Sequence, residues 1–181
     1  MGHFRIYEGA ELTIRQCQSV LDQPRYEHKG KISPYDVLAT FREHALDAPR
    51  YFIFEDNSLI AQIEAQKFDG NIMTFQDFWA NNLSANLRFY RLTSQSGQPR
   101  TPGYELCLRT LYWGLNNGYE EAFQSMFMSK VSEKTWKKAI DSGILIPTED
   151  GVIRCRINSK LPDLLDLESI QNQTKAPNSL K

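Results

Sequence analysis

The sequence predicts a mainly α (α+β) protein. Its N-terminal region is helical and holds a short strand or hairpin, and its C-terminal unit is helices closed by a β-hairpin. Three observations carry this prediction. Apolar residues recur at helical spacing, as in Tyr35, Leu38, Phe41 and Ala45. Two strand-like runs, Ile144-Leu145-Ile146 and Val152 to Ile157, flank Pro147 and Glu149-Asp150-Gly151. A run rich in Ser, Gly and Pro, Thr93 to Gly103, separates the two halves. The expected division is 1–95 as the helical N-terminal region, 100–158 as the C-terminal unit and 159–181 as a polar tail.

In the first region Phe4-Arg5-Ile6-Tyr7 reads as a short strand. Leu12, Cys17, Val20 and Leu21 mark a helix that Asp22-Gln23-Pro24 closes. Arg25 to Lys31 is a polar, cationic loop. Ser33-Pro34 caps and opens a second helix, stopped by Pro49. Tyr51-Phe52-Ile53-Phe54 is β-rich, with a turn at Glu55-Asp56-Asn57. Leu59 to Phe68 fits two periods. Leu59, Ala61, Ile63 and Ala65 alternate, while Leu59, Ile60, Ile63 and Lys67 space as a helix. The Ala and Gln content and the Asp69-Gly70 terminator select helix. Thr74 caps a further helix, with Phe75, Phe78, Trp79, Leu83, Leu87 and Tyr90 as a packing stripe and Arg88 and Arg91 near its end.

Pro102 opens the first helix of the C-terminal unit, and Asn116-Asn117-Gly118 ends it. Tyr119 to Phe127 reads as a short amphipathic helix, with Met128-Ser129-Lys130 as a turn. Ser132 caps a helix that buries Trp136, Ala139 and Ile140 and leaves Lys134, Lys137 and Lys138 outside; Gly143 suits a left-handed end. In the last strand Arg154 and Arg156 alternate with Ile153, Cys155 and Ile157. Val131, Ser132, Thr135 and Trp136 occupy the places of an apolar residue, Ser, Thr and a bulky apolar residue. The unit therefore resembles the winged helix-turn-helix superfamily over residues 102–158, about a third of the chain.

That resemblance implies double-stranded DNA as the partner, in transcription or replication control. Ser132, Glu133, Lys134, Thr135, Lys137 and Lys138 would lie at the groove, and Arg154 and Arg156 on the wing. Two other readings remain. One is a non-enzymatic adaptor whose winged helix docks on protein, supported by the acidic-apolar segment Leu164 to Glu168. The other is a metal-dependent nuclease built on Asp56, Glu64 and Lys67, in which Lys67 stands one place late. A homodimer or a protein partner of the N-terminal region is compatible with each.

Composition bounds these readings. Net charge is −1, and residues 100–160 hold nine Lys or Arg and seven Asp or Glu, so any basic face must come from arrangement. Cys17, Cys107 and Cys155 are far apart, without zinc-ligand or disulfide spacing, and read as buried thiols of a cytoplasmic protein. His3, His28 and His44 are scattered. No phosphate-binding glycine loop, membrane span or signal sequence is evident, so the sequence predicts no catalytic residue, no metal and no cofactor.

Overall fold

The computed structural model describes residues 4–23, 32–81, 101–124 and 130–164. Its centre is one seven-stranded sheet in the order β1-β2-β3-β4-β5-β7-β6. The strands are β1 (Phe4–Glu8), β2 (Arg50–Glu55), β3 (Ser58–Asp69), β4 (Ile72–Ala80), β5 (Glu121–Phe123), β6 (Leu145–Thr148) and β7 (Gly151–Ile157). Every pairing is antiparallel except β4 with β5. Residues from both of the sequence-assigned units thus enter the same sheet.

Helices cover both faces. On one side lie α1 (Ile14–Leu21) and α2 (Pro34–Glu43), packing Cys17, Val20, Leu38 and Phe41 on Phe52 and Phe54. On the other lie α3 (Pro102–Asn116) and α4 (Lys130–Asp141), with Leu106, Leu108, Leu111 and Trp136 against Ile53, Ile63, Met73 and Cys155. A single turn, α5 (Leu161–Leu164), follows β7. Thr13, Ser33 and Thr101 each accept from the amide three residues on, so the starts of α1, α2 and α3 are capped locally.

Several expectations are corrected. The mainly α class gives way to a mixed α/β sheet sandwich. Leu59–Phe68 is strand because β3 is central: β2 and β4 satisfy its backbone on both sides, and pairing of that extent overrides the helix propensity of Ala and Gln. The predicted helix from Thr74 is β4 as far as Ala80; its remainder lies outside the described residues. Tyr119 to Phe127 is not a helix at its start, since Glu121–Phe123 is a strand between β4 and β7. Without that helix there is no helix-turn-helix. The predicted hairpin exists as β6–β7, yet β7 is bonded to β5 inside the sheet and is no free wing. The expected loop at Arg25–Lys31, the turn at Met128-Ser129 and the segment Leu165–Glu168 lie outside the described residues.

Candidate functional site

The parallel pair β4–β5 is short. It covers Ile72↔Glu121, Met73↔Ala122 and Thr74↔Phe123, and the Thr74 hydroxyl donates to the Phe123 carbonyl at 2.9 Å. Past that point the strands part. The Gln124 amide bonds to Ile153 of β7 at 2.7 Å, and β4 runs on to Ala80 along β3. Among the described residues, the edge of β4 from Phe75 onward meets no strand on its β5 side. A wedge therefore opens at the C-terminal ends of two parallel strands, lined by backbone amides and carbonyls.

α3 lies in the chain between β4 and β5. At its far end Gly114 lies against Met73, near the start of β4; a Cβ on Gly114 would fall on the Met73 sulfur. Because β4 and β5 are parallel neighbours, the connection that holds α3 must run back against the strand direction. About eleven residues before Gly114, roughly 16 Å along the helix, α3 begins on the face of the sheet that α4 shares. Thr101 caps this end, Pro102 needs no hydrogen bond, and Gly103 has no side chain. A helix start attracts phosphate; here Pro102 and Gly103 are buried and Glu105 stands in the first turn.

A bulge in β4 shapes the wall of the wedge. Gln62 is opposite Trp79 and Glu64 opposite Gln76, so Ile63 faces two residues, Asp77 and Phe78. Asp77 has φ 49°. The extra residue brings Phe75 and Phe78 onto the same side, where their rings meet edge to face at 6.0 Å, and turns Asp77 outward.

Outward here means toward the α1–α2 face, where β3 presents Gln62, Glu64 and Gln66. They belong to a polar trench. Arg50 donates to Asp77 at 3.1 Å and pairs with Glu64. Gln66 donates to Glu64 at 2.7 Å. Gln62 donates to the Asp77 carbonyl at 3.3 Å and accepts from Gln23 at 3.2 Å. Gln62 and Glu64 are 1% and 7% exposed, so the middle strand of the sheet buries a polar row where an apolar one would be expected. One guanidinium serves two carboxylates, and the trench carries one negative charge in excess.

The cysteines supply no nucleophile. Burial pushes Cys17 and Cys155 up to about 11 and Cys107 up to about 12, which keeps them as thiols. No cluster of three metal-ligating side chains occurs among the described residues. A separate buried group joins α3 to β2. Arg109 lies close to Tyr51, Glu105, Glu8 and Glu11. Its own burial lowers its pKa and that of Tyr51 raises the phenol; Arg109, Glu105 and Tyr51 are buried, Glu8 is half-buried and Glu11 is exposed.

The residues expected at a DNA groove do not form one surface. Ser132 and Thr135 are buried inside α4, and the Thr135 hydroxyl bonds to the Ser132 carbonyl at 3.0 Å. The helix begins at Lys130, so Ser132 does not cap it. Glu133, Lys134, Lys137 and Lys138 are exposed, with the Lys138 ammonium 4.4 Å from the Tyr104 ring centre. Arg154 pairs with Glu121 and Asp150. Arg154 and Arg156 alternate with Cys155 and Ile157, which face α3 and α4, so the arginines point to the opposite side of the sheet. Of the metal trio, Asp56 is exposed on the β2–β3 turn, Glu64 is spent on Arg50 and Gln66, and Lys67 is exposed. The trench residues Arg50, Gln62 and Asp77 carried no signal of their own. The alternation of Gln62, Glu64 and Gln66 inside an apolar run was the available clue.

No family model and no curated protein matches this sequence. Solved structures do. An N-acetyltransferase from Thermoplasma acidophilum, in complex with coenzyme A, superimposes with a TM-score of 0.51 at 14% identity, over 86% of this chain and 97% of that one. An acetyltransferase from Streptococcus agalactiae gives 0.48 at 15% identity, over 81% and 86%. A GNAT-family acetyltransferase from Staphylococcus aureus gives 0.45 at 10%, over 81% and 87%. The first of these shows the fold, which is that of an acetyltransferase. It overturns the winged-helix identification, and with it duplex DNA as partner, transcription or replication control, the adaptor and nuclease alternatives and the non-enzymatic expectation. No helix among the described residues is long and apolar enough to cross a membrane.

Proposed function

We propose that the protein transfers an acyl group from a coenzyme A thioester to an amine. The observation that carries this is the divergence of β4 and β5 at the end where α3 begins. Coenzyme A pairs amide groups along an extended arm with phosphates at one end. The unpaired edge of β4 suits the arm, and the first turn of α3, with Thr101 and Gly103, suits the phosphates. Coenzyme A would supply the acyl group as a thioester: the amine nitrogen bonds to the carbonyl carbon, the C–S bond breaks, the sulfur takes a proton, and an amide remains.

The chain's own residues position the reaction. The backbone of Phe75 to Phe78 holds the donor edge, and the bulge turns Asp77 to the acceptor side. Asp77, 42% exposed at its side chain, is the carboxylate available to take the ammonium proton, while Arg50 fixes it in place. Raised thiol pKa values at all three cysteines favour direct attack over an acyl-cysteine intermediate.

Calorimetric titration of coenzyme A and a thiol-release assay with acetyl coenzyme A and an amine panel test this reading. Coenzyme A should bind, and Gly103→Glu should weaken it at least about tenfold by setting a carboxylate at the helix start. Absence of binding to the parent protein rejects the assignment.

A further inference from the structure

A cavity of about 330 Å³ lies between α1, α2 and the start of β2. Its walls are Val20, Leu21, Ile32, Val37 and the Phe41 ring, with the exposed Asp36 and Thr40 beside them, and Arg50 lines it from β2. The volume is at the lower end of the range for small-ligand sites. Arg50 ties this cavity to the trench, since the same guanidinium that lines it bonds to Asp77 on the β4 bulge. Gln23, just past α1, belongs to the same trench. It is 8% exposed and donates to Gln62, but its Oε1 has no hydrogen-bond partner among the described residues. A buried acceptor left open costs stability unless a donor fills it.

We propose that the acceptor amine carries one compact apolar group, a branched alkyl chain or a single aromatic ring, and that the α1–α2 cavity houses that group. The claim rests on the acyl-transfer reading and narrows its substrate. The ammonium of the incoming acceptor donates to Asp77 and neutralises the excess charge of the trench. The apolar group lies on Phe41 and Val37. A linear diamine is disfavoured, because its second ammonium would enter a mainly apolar cavity shared with a guanidinium, and the one carboxylate there, Asp36, is already held by the Ser33 amide and hydroxyl. Selectivity of this type is bounded by what burial of one apolar group contributes.

The test uses phenethylamine and 1,4-diaminobutane as probes, with two readouts. Direct binding to the protein without acyl donor is followed by calorimetry or by amide chemical shifts. Thiol release with acetyl coenzyme A is measured in parallel. Phenethylamine should bind about tenfold or more tightly than the diamine. Val37→Trp, which fills the cavity, should remove that preference. Ile32 is 40% exposed at the rim, so Ile32→Lys tests the same site by charge where the tryptophan variant fails to fold. Binding that responds to these variants upholds the subsite even without thiol release, in which case acyl transfer alone falls. Thiol release with both amines and no response to either variant leaves acyl transfer standing and overturns the subsite. Equal binding of the two amines, or none, overturns it as well.

Discussion

The two faces of β3 are both largely buried and chemically opposite. Toward α3 the strand shows Ala61, Ile63 and Ala65; toward α1 and α2 it shows Gln62, Glu64 and Gln66. The first face is small and apolar, so a helix as buried as α3 can approach closely. The second buries amides and a carboxylate that must be handed partner by partner to Arg50, Gln23 and Asp77. Burial of apolar surface holds the molecule together, whereas a buried ionic row contributes little net stability and is costly to leave incomplete. The difference separates the face that maintains the fold from the face on which the proposed acceptor site lies.

The sharpest way to break that contrast is on the apolar side. Leu111 is fully buried in α3, facing the sheet. Leu111→Ala should lower unfolding free energy by about 2–5 kcal/mol, measured by denaturant titration. A loss below about 1 kcal/mol would mean that the α3 face is not the stabilising one.

The polar face should respond in a different manner. Arg50→Gln strands Glu64, at 10% side-chain exposure, without its cation. Because Arg50 itself is 22% exposed, the loss should fall near about 2 kcal/mol, under the range for a fully buried pair. Adding Glu64→Gln should restore part of it, since the stranded charge is then gone. A double-mutant cycle reads this coupling directly; simple additivity would show that the trench is not a connected network.

The same contrast explains what the sequence disclosed. Local chemistry was legible: the start of α2 at Ser33-Pro34, the start of α3 at Pro102, the left-handed Gly143 at φ 74°, the β6–β7 hairpin and three buried cysteines. The pairing of β3 and β4 was not. In β3 the Ala and Gln content and the Asp69-Gly70 terminator select helix, because nothing local says that β2 and β4 will pair with it on both sides. In β4 the bulge at Asp77 sets Phe75 and Phe78 three apart on one side, and that spacing imitates a helix. The feature that shapes the candidate site is therefore the one that disguised its strand. The wedge was illegible for a similar reason: β5 is three residues long, and its partners come from β4 and β7, far away in sequence.

A smaller effect probes how closely α3 sits on the sheet. A Cβ at Gly114 would lie 2.3 Å from the Met73 sulfur, and Met73 is wholly buried. Overpacking costs about 1–3 kcal/mol, and the helix preference of Ala over Gly returns about 1 kcal/mol. Gly114→Ala should therefore destabilise by roughly 1 kcal/mol. In a Met73→Val background, which removes the sulfur, the same substitution should be neutral or stabilising. An equal loss in both backgrounds would show that Met73 is not what the new methyl meets.

The smallest effects are titrations, and the two sides of the molecule should titrate with opposite sign. Glu8, beside the interior cluster of Arg109, is raised above its ordinary 4.5, by burial first and by Glu11 second. Its folded form prefers the proton. Its favourable contribution is therefore complete below the unfolded value and is lost as pH rises through the folded one. Asp36, at the exposed start of α2, is lowered from 3.8 by the Ser33 amide and then by the Ser33 hydroxyl. Its contribution is present above 3.8 and is lost as pH falls through the lowered value. Melting temperature against pH should show Glu8→Gln gaining on the parent protein toward neutrality. Asp36→Asn should lie below the parent at neutral pH and converge with it in acid. Parallel curves for either variant would remove the electrostatic difference between the buried cluster and the capped helix start.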